Sequence, residues 1–240
     1  MKCRFCFVSN KRFRRNLKVS EIVGQIWTAG KRLRERFLSE HIKRSNSLPF
    51  TNIVIMGTGE PLFNFNNIIR SIRIVADHHG FNFSEKKIVL STSGISPMIE
   101  KLLEYSNVGL AISLHAPNDE IRSSIMPINR KYNVQSILDS IHRCQKRHVG
   151  TKNITIEYVM LKKINDDLRC AYQLAKILKG LSVKINLIPF NPVDGVDYEC
   201  STAERTHQFL KILKKFGFVT TVRKTKGLDI RASCGQLSYR

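Results

Sequence analysis

The sequence has little acid. Forty Lys and Arg stand against 19 Asp and Glu in 240 residues, a formal net charge of +21 at pH 7. An imbalance of that size points to a polyanionic partner. No run approaches the roughly 20 apolar residues that a membrane helix needs, and the basic N-terminus lacks the following apolar stretch of a secretion signal. The expected compartment is the cytoplasm. Cysteine is also sparse, six residues with only Cys3 and Cys6 close together, which excludes a small disulfide-stapled secreted domain. In a reducing compartment these cysteines are thiols or metal ligands. Repeats and low-complexity linkers are missing, and Gly and Pro fall singly between periodic segments, so one continuous domain is expected. Aromatic residues are only 8% of the chain, and no RNA-recognition, KH or zinc-finger pattern occurs. Nothing in the sequence therefore reads a base directly.

What is present suffices for a core: 42% hydrophobic residues with 25% charged, outside the disordered class. The charge sits at the two ends. Residues 1–46 hold thirteen Lys/Arg against Glu21, Glu35 and Glu40, and residues 205–240 hold nine against Asp229. Each cluster alone reads as a solvated helical face. Two of them around a near-neutral middle favour one shared phosphate-binding surface, with RNA or DNA as partner.

Apolar runs rich in β-branched residues at 52–56, 87–90, 108–112, 154–160, 183–188 and 218–222 are candidate strands. Between them lie helical patterns at about 20–44, 66–78, 97–105, 134–147, 167–179 and 202–215. Such alternation predicts parallel strands with helical crossovers. The loops after the strands are small and polar: Gly57-Thr58-Gly59-Glu60-Pro61, Ser91-Thr92-Ser93-Gly94, Ser113-Leu114-His115, and Pro189-Phe190-Asn191-Pro192. A β/α barrel builds its site from such loops at the carboxyl ends of its strands, whereas a doubly wound sheet concentrates its site at one switch point. A full or partial barrel is expected.

Cys3-Arg4-Phe5-Cys6 alone fits a redox dithiol, half a zinc site or two unrelated thiols. Followed by a basic helix and a strand ending in Gly59-Glu60-Pro61, it takes the opening order of radical S-adenosylmethionine enzymes. Further blocks follow in order. They include Met56 to Leu62, Leu90 to Gly94, the stretch Ala111 to Glu120, and Pro127 to Tyr132. Arg15 to Leu17 with Ser20 to Ile22, Thr155 to Leu161, Asn186 to Asn191, Val222 to Gly227 and Ala232 to Leu237 complete the set. Across essentially the whole chain they resemble the RlmN family, radical S-adenosylmethionine methyltransferases acting on adenine carbon 2 in 23S ribosomal RNA and transfer RNA. The Cfr enzymes, which methylate carbon 8, share much of this pattern.

The resemblance implies an α/β fold, a partial (β/α)6 radical SAM barrel lacking its first strand, as one core over residues 1–240. It implies a 4Fe-4S cluster on Cys3 and Cys6, thiolates being the normal ligands of such clusters. Around S-adenosylmethionine it implies Gly59, Glu60, Ser91, Ser113, Leu114, His115 and Asn191. Glu60 would accept from the cofactor's amino group, and Gly59 would let backbone come close. Cys234 is the implied catalytic residue: its thiolate takes a methyl group from one cofactor molecule, and a radical from a second activates it for addition to the electron-poor carbon 2. Arg223, Lys224 and Lys226 would hold phosphate and lower the thiol pKa. RNA and an electron donor such as flavodoxin or ferredoxin are the implied partners, no membrane is involved, and the chain is expected to be a monomer. Read singly, Glu60 is equally a helix N-cap and His115 a hydrogen-bonded loop histidine. Cys144, Cys170 and Cys200 belong to no motif.

The sequence departs from the family at its start. The first cluster cysteine would lie four residues before Cys3, ahead of Met1, so the third ligand is missing. The first strand, the N-terminal RNA-binding domain, the family's catalytic Glu and its second catalytic cysteine also have no counterpart. The residues after Cys6, Phe7-Val8-Ser9-Asn10-Lys11-Arg12-Phe13, replace a small Gly-containing stretch. The expectation is a chain cut within its cluster loop, Met1 being internal to that loop or the gene a decayed fragment. Such a product should bind cluster poorly and not turn over. A basic RNA-binding remnant without chemistry and a zinc protein using Cys3 and Cys6 are the other readings.

Overall fold

The computed structural model describes residues 1–10, 13–39, 49–147, 153–192, 195–227, 229–230, 233 and 235–236. Six strands form at the six apolar, β-branched-rich runs: β1 Ile53–Ile55, β2 Ile88–Thr92, β3 Gly109–Ser113, β4 Ile154–Met160, β5 Lys184–Pro189 and β6 Val219–Val222. They make one sheet in chain order, β1 to β6, every pair parallel. The order never reverses, so there is no switch point, and the sheet is singly wound like a β/α barrel rather than doubly wound. It is not closed, because β1 and β6 each pair with one neighbour only.

The crossovers are α1 Val19–Ser39 before β1, then α2 Phe65–Ala76, α3 Ser96–Tyr105, α4 Asp119–Ile125, α5 Val134–Arg147, α6 Leu168–Ile177 and α7 Ala203–Lys215. The expected extension of the first helix to residue 44 lies outside the described residues. Helix α4 was not expected, being under two turns, although its signal is present. Asn118 caps it by accepting from the Ile121 amide (2.9 Å), and Asp119 and Glu120 occupy its first turn, where the helix dipole favours acid.

Strand register explains the composition. Ile88, Leu90, Leu110, Ile112, Ile156 and Leu187 point to one face and join a single core with the helices. Alternate residues point to the other face: Val54, Ser91, Ala111, Ser113, Glu157 and Asn186. That concave face mixes small and polar residues with Val54, Val89, Val159 and Ile188, and Val54 is half exposed. A parallel sheet covered on both faces would read as continuous apolar runs. Here the alternation records an open inner face.

Candidate functional site at the carboxyl ends of the strands

The chain after β2 and after β3 converges on one buried guanidinium. Arg122 in α4 is fully buried. Its Nε donates to the Leu114 carbonyl (3.0 Å), Nη1 to Asn129 Oδ1 (2.8 Å) and the Tyr132 carbonyl (2.9 Å), and Nη2 to the carbonyls of Ser93 (2.6 Å) and Ser113 (3.2 Å). All five N–H groups of the fork are used, on neutral acceptors. Burial pulls its pKa down to about 10, so it stays charged at neutral pH. Gly94 makes this packing possible: its φ is +95°, and a Cβ there would lie 2.5 Å from Ile137 Cδ1 and 3.3 Å from Arg122 Nη2.

Glu60 is the N-cap of a short 3-10 helix, Pro61–Asn64, accepting from the Leu62 amide (3.1 Å). It is 8% exposed, and its second oxygen accepts from the Ser93 amide (2.7 Å) and hydroxyl (2.6 Å). The capping role and the siting beside the β2 loop thus coexist in one carboxylate. Gly59 before it is exposed with φ +93° and no atom near the Cβ position, so glycine serves backbone conformation there.

His115 holds φ +60° and is buried. Its Nδ1 accepts from the Val159 amide (3.0 Å), which leaves the imidazole neutral with its proton on Nε2. Burial, helped by the Arg122 charge, drives its pKa down to about 3. Asn165 locks the same turn, Nδ2 donating to the carbonyls of His115 (2.8 Å) and Val159 (2.7 Å). Leu114 buries its side chain completely, and its backbone is already engaged, by Arg122 at the carbonyl and by the Ile112 and Glu157 carbonyls at the amide. Ser91 and Ser113 sit half-buried on the concave face, and Asn191 is buried just beyond β5.

Cys3 and Cys6 share one tight turn, the Cys6 amide donating to the Cys3 carbonyl (3.2 Å). The turn is pinned at Arg4, whose amide donates to the Ile125 carbonyl (2.9 Å), and by the Phe5 ring set edge-on against His115, centroids 5.0 Å apart. Burial, reinforced by the neighbouring Cys6, pushes the Cys3 thiol up to about 11; the N-terminal amine and Arg122 oppose this, and Glu60 adds to it. Cysteine pair, Glu60, Arg122 and His115 are therefore one constellation. Cys234 lies outside the described residues. Beside it, the Gly235 carbonyl accepts from the Phe7 amide (3.1 Å), and the buried Ser233 hydroxyl donates to the Lys226 carbonyl (2.8 Å). The two ends of the chain therefore meet at the cysteine turn.

Sequence reasoning missed Arg122, Ser93, Asn165 and Glu157. Burial raises the Glu157 pKa, opposed by a hydrogen bond from Asn186 and the charge of Arg223. Arg223, expected on a phosphate track, is exposed, with its Nη1 3.8 Å from Met56 Sδ.

Two features bear on bound groups. Gln236 donates to the Pro192 carbonyl (2.8 Å), yet its Oε1 is buried with no donor among the described residues, an acceptor that a polar ligand beside Asn191 and Pro192 would satisfy. The polar concave face and this orphaned acceptor fit a nucleoside-like cofactor. Cys3 and Cys6 are the donor type that iron–sulfur clusters take, but no group of three potential ligands occurs among the described residues. The donor chemistry fits such a cluster, and the described donors do not complete it.

Residues 1–174 match the model of the radical SAM superfamily. The chain belongs to the radical SAM superfamily. Among curated proteins it is 51% identical over 239 residues to the dual-specificity RNA methyltransferase RlmN of Buchnera aphidicola subsp. Schizaphis graminum, covering 99% of this chain and 64% of that one. The chain thus spans about two-thirds of the length of the curated relatives it matches, just under that fraction. A crystal structure of a radical SAM methyltransferase from Sphaerobacter thermophilus superposes with a TM-score of 0.89 at 38% identity, over 98% of this chain and 65% of that one. Streptococcus suis SuiB bound to S-adenosylmethionine matches in fold, with a TM-score of 0.65 at 14% identity, over 93% of this chain and 48% of that one. No helix among the described residues is long and apolar enough to cross a membrane.

Proposed function

We propose that this protein is an RNA methyltransferase that modifies carbon 2 of adenine in 23S ribosomal RNA and transfer RNA, using S-adenosylmethionine. The observation that carries the reading is the 51% identity to an RlmN protein along 99% of the chain. The constellation at the strand ends supports it.

In this reading Cys3 and Cys6 are cluster ligands. The cluster's part is to supply the electron that makes radical chemistry possible. Glu60, held in place by Leu62 and Ser93, accepts from the cofactor's amino group, and Gly59 shapes the backbone beside it. Ser91, Ser113 and Asn191 meet polar edges of the cofactor, and Leu114 holds the loop from below. His115, fixed neutral, offers an Nε2–H donor rather than an acid or a base. Cys234 receives the methyl group: its sulfur forms a bond to the methyl carbon as the sulfonium C–S bond breaks, releasing S-adenosylhomocysteine. Exposed cations, among them Lys18, Lys31, Arg32 and Lys224, bind RNA phosphates. The protein acts in the cytoplasm as a monomer and draws electrons from a flavodoxin or ferredoxin.

The test is mass spectrometry of RNA from the source cell. Deleting the gene should abolish 2-methyladenine, the wild-type gene should restore it, and a Cys234→Ala gene should not. A missing 8-methyladenine instead would move the assignment to carbon 8. Unchanged adenine methylation on deletion overturns the reading in favour of an RNA-binding remnant.

A further inference from the structure

Glu157 lies on the concave face of β4, in register with Ser113 on β3 and Asn186 on β5, and Asn186 is in register with Thr221 on β6. One polar row therefore crosses four strands. Its hydrogen bonds run in one direction: Thr221 Oγ1 donates to Asn186 Oδ1 (3.1 Å), and Asn186 Nδ2 donates to Glu157 Oε2 (3.0 Å). Glu157 ends the relay as a pure acceptor. The residue is 5% exposed, yet no described group donates to its other oxygen, and that oxygen is not sealed from solvent.

The other buried acid of the site shows how unusual this is. Glu60 receives three donors from the protein, whereas Glu157 receives one. A buried carboxylate costs stability unless its hydrogen-bonding capacity is filled. Glu157 caps no helix; among the described residues Arg223 acts on it through its charge, and no arginine or lysine hydrogen-bonds to it. Its incomplete shell is directed to the face where Ser91 and Ser113 also point.

We propose that Glu157 is a binding residue of the concave site, accepting hydrogen bonds from the vicinal hydroxyls of the ribose in an adenosyl ligand. This rests on the cofactor assignment above and extends it to a residue and a contact. Two considerations select a ribose. An acceptor with one oxygen oriented by Asn186 and one open suits a neighbouring pair of hydroxyl donors. A carboxylate on a ribose hydroxyl is the device by which dinucleotide folds recognise that sugar.

Isothermal titration with S-adenosylhomocysteine and its 2′-deoxyribosyl analogue tests the inference without requiring turnover. The wild-type protein should bind the analogue about ten- to a hundredfold more weakly, the loss expected when a hydrogen bond to a charged group is removed. Glu157→Gln should weaken S-adenosylhomocysteine by a similar factor and bring the ratio between the two ligands close to one. Asn186→Ala, which frees Oε2, should reduce that ratio only in part. Circular dichroism and the unfolding midpoint check that each variant is folded. A Glu157→Gln protein that keeps the wild-type ratio overturns the inference, even if both ligands weaken, because the carboxylate then meets another part of the ligand. Failure of the wild-type protein to bind either ligand overturns the cofactor assignment and this contact with it.

Discussion

Two arginines mark two regions built on different terms. At the rim of the site, Arg122 is fully buried and gives all five N–H groups to neutral acceptors in the loops after β2 and β3 and around residues 129–132. In the outer helix layer, Arg143 of α5 meets a carboxylate, Glu100 of α3, at 2.7 Å, but its own side chain is 49% exposed. By charge alone the second pair looks stronger. Burial reverses the order. Water and salt compete for Arg143 and Glu100, whereas nothing replaces Arg122 among the carbonyls it joins. The rim is held by polar groups that have no alternative partner, and the helix layer by apolar packing of residues such as Ile99, Leu102, Ile137 and Ile141.

The largest expected effect follows from that difference. Arg122→Met strands five acceptors inside the protein and should cost upward of about 3 kcal/mol in urea unfolding. Arg122→Lys should recover little, since an ammonium on a flexible stem cannot span the fork's five positions. A loss below about 1 kcal/mol would place the rim arginine in the same class as a surface one and end the comparison.

A smaller effect tests whether His115 belongs to the same rigid rim. Its folded pKa of about 3 lies below the roughly 6.5 of an unfolded histidine. Below pH 6.5 the unfolded chain therefore binds a proton that the folded chain refuses. Stability from this group is complete above pH 6.5 and declines as pH falls toward 3. Between pH 6.5 and 5 the decline is about 2 kcal/mol. His115→Asn tolerates the positive φ and cannot titrate, so it should lack this part of the slope. Glu157 contributes with the opposite sign, its raised pKa favouring the folded state as it protonates, but equally in both proteins. Identical slopes for the two proteins would mean that His115 is solvated, and that the rim is looser there than its hydrogen bonds describe.

The contrast also separates what was legible in the sequence from what was not. All six strands could be read because each is a run of apolar, largely β-branched residues, as in Ile53-Val54-Ile55 and Ile88-Val89-Leu90. Glu60, Ser113, His115 and Asn191 were named because the blocks that hold them resemble the RlmN family; Ser113 ends β3, and the other three follow strands. Arg122 was not, since one arginine in a short helix looks solvated until the turn on which it closes is known. The Ser113, Glu157, Asn186 and Thr221 row exists only through register between four strands, and no local pattern encodes register across such separations. The single hint was an acid in the middle of an otherwise apolar strand.

The smallest effect is the most direct control on the comparison. Glu100 has its pKa lowered, first by its hydrogen bond from Arg143 and against a smaller desolvation effect. That shift describes a pair in contact with water, so it does not translate into stability. Arg143→Ala should leave the unfolding midpoint unresolved from wild type, at low salt and at high salt alike, whereas Ile141→Ala on the buried side of the same helix should cost about 2 to 5 kcal/mol by leaving a cavity. If Arg143→Ala proved as damaging as Ile141→Ala, the outer layer would depend on its ion pairs after all. The distinction between a rim fixed by polar satisfaction and a layer fixed by packing would then fail at α5, where both residues share one helix.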